Sequence, residues 1–201
     1  MRDSENIREV SLLRPDFMGF IFYPYSKRFV GGLDPLVLSQ LPENIAKVGV
    51  FVNHDLIEVV QIAERYHLNL LQLHGDESAN YVVALKQQLA GSDVKIMKAF
   101  GVDEKFNFSA LDNYQAAVDY FLFDTQTSEY GGSGQHFNWD LLKRYTLDNP
   151  YFLSGGIGLE SLESLKKIDD KRLFAVDVNS KFELEPGMKD INKLDEFKKQ
   201  L

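Results

Sequence analysis

Short apolar runs alternate with longer amphipathic stretches along the whole chain. Residues 18–23 (MGFIFY), 47–52 (KVGVFV), 70–73 (LLQL), 95–100 (KIMKAF), 120–123 (YFLF), 151–153 (YFL) and 173–178 (LFAVDV) predict strands. Several are apolar at successive positions rather than alternating, as in parallel sheets covered on both faces. Between them, residues 56–66, 79–89, 140–145, 159–167 and 189–200 carry apolar positions at helical spacing. Residues 4–13 predict an opening helix, with Ser4 as a candidate N-cap. The repeating unit is strand then helix, at about 25 residues per unit. No low-complexity linker interrupts it, so the chain reads as a single domain over residues 1–201.

A closed (βα)8 TIM barrel has eight strands and opens on a strand. This chain offers seven and opens on a helix. The expectation is an α/β fold: a (βα)8 barrel missing its first strand, with runs 18–23 and 173–178 left as sheet edges. A doubly wound open sheet would give the same alternation. However, no GxGxxG turn follows the first strand, which removes the best support for a dinucleotide fold.

Composition narrows the chemistry. A net charge of −8 argues against non-specific nucleic-acid binding, yet leaves room for a small anionic substrate held locally. The absence of cysteine excludes disulfides and thiolate metal sites. Apolar runs are of strand length, so no membrane span or signal peptide is expected, and the natural class is a soluble cytoplasmic protein. His54, His67 and His136 share no metal-ligand spacing, and no metal is expected.

In such a barrel, function lies at the C-terminal ends of the strands. The run 120–123 ends in Asp124, followed by a loop holding Gly131, Gly132, Ser133 and Gly134. That is how a parallel α/β enzyme presents a carboxyl group, although Asp124 could instead cap a helix. Run 18–23 leads to Arg28, a planar cation suited to a carboxylate or phosphate, or else a surface residue. Gln72 and His74 flank apolar Leu73 and point away from it. A lone histidine is more often structural than catalytic. Gly155 and Gly156 follow run 151–153, and Asp177, Asn179 and Ser180 close the last strand. The final two loops of a (βα)8 barrel are the usual phosphate site. The alternative is a pair of left-handed turns that simply need glycine.

The segments LLQLHGDES, FLFDTQTSEYGGSGQHFNWDLL, FLSGGI and AVDVNSKFELEPGMKD resemble the phosphoribosylanthranilate isomerase family of tryptophan biosynthesis. GFIFYPYSKRFV and VGVFVN are similar to its second- and third-strand regions, so the resemblance spans the chain in order. It implies a (βα)8 enzyme performing an Amadori rearrangement of N-(5-phosphoribosyl)anthranilate, without metal or redox cofactor. It further implies Asp124 as general acid, Arg28 on the anthranilate carboxylate, and Gly155, Gly156, Asn179 and Ser180 around the phosphate. Asp177 would face the substrate amine or hydroxyls. An Asp acting as an acid near pH 7 needs a raised pKa. Family members occur as monomers or dimers, and the expected partner is the phosphoribosyl substrate alone.

The resemblance also has gaps. The family opens on a strand reading K-[IV]-C-G whose cysteine is the general base, and Met1-Arg2-Asp3 aligns just after that pair. One expectation is a start placed at an internal Met, the other a natural truncated paralogue. Either leaves weak activity, with His74 the nearest substitute base. Lys27 stands where proline is usual, and Asn179 and Lys181 where serine and glycine are common. The competing readings are a non-catalytic phosphosugar-binding remnant, which intact Asp124 and Arg28 argue against, and another phosphate-binding barrel enzyme of tryptophan or histidine synthesis.

Overall fold

The structure is a computed structural model describing residues 1–125 and 138–201; Gly131, Gly132, Ser133, Gly134 and His136 lie outside the described residues. Helix α1 (Ser4–Leu12) opens the chain. Its N-cap is Asp3 rather than the expected Ser4: the Asp3 carboxylate accepts from Asn6 N at 2.8 Å. A charged acceptor one residue earlier suits the positive end of the helix better than a hydroxyl.

Among the described residues seven parallel strands follow: β1 (Phe17–Ile21), β2 (Ala46–Phe51), β3 (Leu70–Leu73), β4 (Lys95–Val102), β5 (Tyr120–Thr125), β6 (Tyr151–Leu153) and β7 (Leu173–Val176). Each pairs with the next in chain order, and β1 and β7 are the two edges of the sheet. The seven-strand expectation and its edges therefore stand.

Alternation along the strands divides the apolar side chains into two layers. Met18, Phe20, Phe51, Leu71, Leu73, Phe121 and Phe123 pack outward against the helices in the larger core. Val48, Leu70, Met97, Ala99, Leu122 and Phe152 fill the inside of the curled sheet.

On the outer face, α2 (Pro35–Ser39), α3 (Leu56–Tyr66), α4 (Ala79–Gln88), α5 (Leu162–Leu165) and α6 (Ile191–Gln200) connect or flank the strands. Helices α3 and α4 match their sequence patterns because they are long enough to show a period. Two expected helices are mostly tighter turns. Residues 140–145 become a 3-10 helix over Trp139–Arg144, and 159–167 becomes a 3-10 turn, Leu159–Ser161, running into the four-residue α5. Helix α2 and the 3-10 helix Phe108–Asn113 are too short for periodicity to reveal. Only Asp34 before Pro35 marks α2, its carboxylate capping Leu36 N at 3.0 Å. The chain closes through a small antiparallel hairpin, β8 (Glu183–Glu185) and β9 (Met188–Lys189), before α6. Lys189 thus belongs to a strand, and Asp190 caps the last helix through Lys193 N.

Candidate active site

A cavity of about 560 Å³ occupies the inside of the curled sheet and opens at the C-terminal ends of its strands. Arg28, Gln72, His74, Asp124, Gly155, Gly156, Asp177, Asn179 and Ser180 all line it. Parallel strands paired in chain order put their C-terminal loops at one rim, so residues up to about 150 positions apart in sequence converge there.

One flank is built by β3, β4 and β5. Leu73 faces the outer core, which turns Gln72 inward, where it is buried. Gln72 Oε1 lies 2.7 Å from His74 Nδ1. The other ring nitrogen, Nε2, stands 3.5 Å from Asp124 Oδ2. Asp124 Oδ1 accepts from Thr125 N at 2.7 Å. When Nδ1–H is donated to Gln72, the neutral ring turns its Nε2 lone pair toward the Asp124 carboxyl.

Beneath this flank lies a feature that sequence reasoning missed. Lys98 and Glu77 are both buried and form an ion pair at 3.2 Å. Lys98 Nζ also donates to the carbonyls of Leu73, Gly75 and Ala99. Glu77 accepts from Asn53 N and from Gly75 N. Burial pulls the Lys98 pKa down, and Glu77 opposes that pull. The pair pins the loop that carries His74. Its signal in the sequence was a lysine inside the apolar run KIMKAF.

The other flank is built by the loop after β1, the end of β7 and the hairpin. Arg28 makes a bidentate pair with Glu183, Nε donating to Oε1 at 3.0 Å and Nη2 to Oε2 at 2.7 Å. Its Nη1 has no acceptor among the described residues. The Glu183 side chain is only 4% exposed. Burial raises its pKa, but Arg28, Lys189 and the Gly187 amide outweigh this and hold it below the usual carboxylate range. Lys189 Nζ reaches Glu183 Oε1 at 3.3 Å and Asn179 Oδ1 at 2.7 Å. A chain of charges therefore runs from Arg28 to Asn179. Glu183 and Lys189 were not singled out from the sequence, although both lie in the block AVDVNSKFELEPGMKD.

Asp177 sits where the flanks meet, reached by solvent only in part and crowded by protein. Its pKa is pushed up, first by burial and then by the charge of Asp124, with Lys189, His74 and a Ser154 hydrogen bond opposing. Gly155 and Gly156 both take positive φ, +92° and +62°. A Cβ on Gly155 would stand 2.3 Å from Thr125 Oγ1 and 2.7 Å from Asp124 Oδ1. Glycine here both makes the turn and lets the loop close onto Asp124. The two final loops lead into 3-10 turns, Leu159–Ser161 and Ser180–Phe182, instead of the helix expected from residue 159. Lys181 forms an ion pair with Glu160, which ties those two loops together.

A parallel βα barrel whose strand ends gather two carboxyls, an imidazole and a guanidinium beside a glycine turn is the architecture of a barrel enzyme for a small anionic substrate. The comparisons make this specific. The family described as N-(5'phosphoribosyl)anthranilate (PRA) isomerase matches residues 1–200. The N-(5'-phosphoribosyl)anthranilate isomerase of Parabacteroides distasonis is 41% identical over 100% of this chain and 90% of its own. That of Phocaeicola vulgatus is 37% identical over 100% and 94%. The crystal structure of the Thermotoga maritima enzyme superposes with a TM-score of 0.82 at 33% identity, covering 100% of this chain and 94% of that one. A phosphoribosyl anthranilate isomerase solved in complex with reduced 1-(o-carboxyphenylamino)-1-deoxyribulose 5-phosphate gives 0.78 at 31%, with coverage of 100% and 94%. The chain belongs to the phosphoribosylanthranilate isomerase family.

Proposed function

We propose that the chain isomerises N-(5'-phosphoribosyl)anthranilate to 1-(2-carboxyphenylamino)-1-deoxyribulose 5-phosphate, a step of tryptophan biosynthesis. The observation that carries this reading is the convergence of all nine expected residues on one cavity. Arg28 stands in the loop after β1, and Gly155, Gly156, Asn179 and Ser180 stand at the loops of the last two strands. A ligand carrying both a carboxylate and a phosphate finds a partner for each.

In this reading Asp124 donates its proton to the ribose ring oxygen. The C1′–O bond breaks as the anilino nitrogen forms a Schiff base. Removal of the C2′ proton returns the electrons to nitrogen and gives an enolamine, which tautomerises to the aminoketose. His74 Nε2 faces the Asp124 carboxyl at 3.5 Å and orients it. Asp177, its pKa raised first by burial and then by Asp124, faces the substrate amine or hydroxyls from the end of β7.

The chain contains no cysteine, so the thiol base implied by the family is not among its residues. His74 is the nearest substitute for it. A positioned base contributes about 10²–10⁴-fold, so slow turnover is the expected behaviour. The protein is taken to act in the cytoplasm as a monomer or homodimer, on this small molecule and without a nucleic-acid or membrane partner.

The test pairs turnover with binding. Conversion of N-(5'-phosphoribosyl)anthranilate is followed at high protein concentration, and binding of the reduced product analogue by calorimetry. Slow conversion is expected, with saturable binding that Arg28→Ala weakens about tenfold or more. Absence of both conversion and analogue binding would remove the isomerase reading.

A further inference from the structure

Lys181 and Glu160 meet where the last two loops of the mouth come together. The Lys181 ammonium donates to Glu160 Oε1, across 21 residues of sequence. Neither side chain lines the cavity, yet each adjoins residues that do: Ile157 lies just before the Glu160 turn, and Ser180 directly precedes Lys181. Resting on the isomerase reading, we propose that Lys181 binds the substrate phosphate and that Glu160 is its built-in competitor. The carboxylate holds the ammonium out of the cavity until the phosphate takes it.

The local chain fixes Glu160 for this part. It sits in the 3-10 turn Leu159–Ser161, whose N-cap is Gly158. A Cβ on Gly158 would stand 2.4 Å from Glu160 Oε2, so the carboxylate folds back along its own loop where glycine leaves room. The Lys181 hydrogen bond first, then the Glu160 amide and the charges of Lys181 and Lys193, hold its pKa below the usual carboxylate range against a small cost of burial. Lys193 Nζ stands 5.5 Å from the centre of the Phe182 ring, beside the same loop. Two lysines therefore act on one carboxylate at the seam of the two loops. An anion arriving there meets more positive charge than Glu160 alone neutralises.

The pair is built to exchange. The Lys181 side chain is 31% exposed and that of Glu160 58%, and ion pairs this open to water contribute little. A phosphate monoester carries roughly −1.5 to −2 charges at pH 7 and three strong acceptor oxygens, against a single charge on Glu160. The ammonium is a point charge on a flexible four-carbon stem, so it changes partner by side-chain rotation. Lys189 is not suited to this part. It is buried, and its Nζ is already held by Asn179 Oδ1 at 2.7 Å and Glu183 Oε1 at 3.3 Å.

The test compares four full-length chains: the natural one, Lys181→Met, Glu160→Gln and the double variant. Calorimetry follows binding of the reduced product analogue and of the same analogue after its phosphate is removed. Thermal unfolding in inorganic phosphate is measured beside it. Lys181→Met should weaken the phosphorylated analogue about tenfold. Glu160→Gln should tighten it by about three- to tenfold, because the ammonium is then free. The double variant should bind as weakly as Lys181→Met alone, since Glu160 acts through Lys181. The dephosphorylated analogue should bind all four chains alike. Weakening by both single variants would overturn the proposal and make the pair a structural tie between the loops. An equal gain from Glu160→Gln with and without Lys181 would also overturn it, leaving plain repulsion by Glu160. If the natural chain binds neither analogue, the isomerase reading falls by itself. The phosphate-induced rise in Tm then decides the inference: the same order among the four chains supports it, and no rise in any of them overturns it.

Discussion

The two flanks of the mouth are built to different standards. On the β3–β5 flank every strand is paired on both sides, the carboxyl of Asp124 is backed by His74 and Gln72, and a buried ion pair pins the loop beneath. On the β7–β1 flank the two strands end the sheet, and what holds the site is a hairpin threaded by Arg28, Glu183 and Lys189. The first flank is held by backbone pairing and hence is rigid. The second is held by side-chain charges, where β1 and β7 form the edges of the described sheet.

Four substitutions sharpen this contrast. The largest effect falls on the β3–β5 flank: Asp124→Asn removes the proposed proton donor and is expected to lower kcat about 10²–10⁴-fold, with analogue affinity little changed. Steady-state kinetics beside calorimetry checks it, and an equal loss of binding would make Asp124 a structural residue.

Next comes the brace. Lys98→Met leaves Glu77 buried and unpaired, and should cost about 3–5 kcal/mol in urea unfolding. A cost near that of an exposed pair, under about 1 kcal/mol, would show that the loop does not depend on it.

On the charged flank, Glu183→Gln frees Arg28 from its bidentate partner and leaves Lys189 close by. Affinity for the reduced product analogue should fall about tenfold, with Glu183→Asp in between. Unchanged affinity would mean that Arg28 orients itself.

The smallest effect concerns Asp177. Its pKa is raised in the folded state, so ionisation favours unfolding, and stability is lost as pH rises from the ordinary carboxylate value through the raised one. Asp177→Asn removes that loss. It should raise Tm near pH 7, with the gain fading as pH falls toward 4. A gain independent of pH would assign it to packing.

What was legible in the sequence follows the same division. Strands β3 and β6 match the sequence pattern to the residue, because runs such as LLQL and YFL are uninterrupted apolar segments. Asp124 and His74 were readable because each ends such a run. The residues that brace them were not. Lys98 and Glu77 lie in different βα units and are joined only by the parallel register of β3 and β4. Likewise Arg28 and Glu183 are 155 residues apart, and nothing local pairs them. The hairpin went unread since strands of three and two residues leave no period. Turns such as Trp139–Arg144 showed helical spacing, but six residues cannot separate a 3-10 from an α-helix.

The central claim is that Asp124 is the acid of the proposed reaction and that no side chain of residues 1–201 fully replaces the family's thiol base. It is tested most directly by measuring isomerase turnover of this chain against the same chain carrying Lys-Val-Cys-Gly before Met1. The account predicts a kcat at least about 10²-fold higher in the extended chain, lost again on Asp124→Asn. Equal turnover in the two chains would contradict it and place the base among the residues already present.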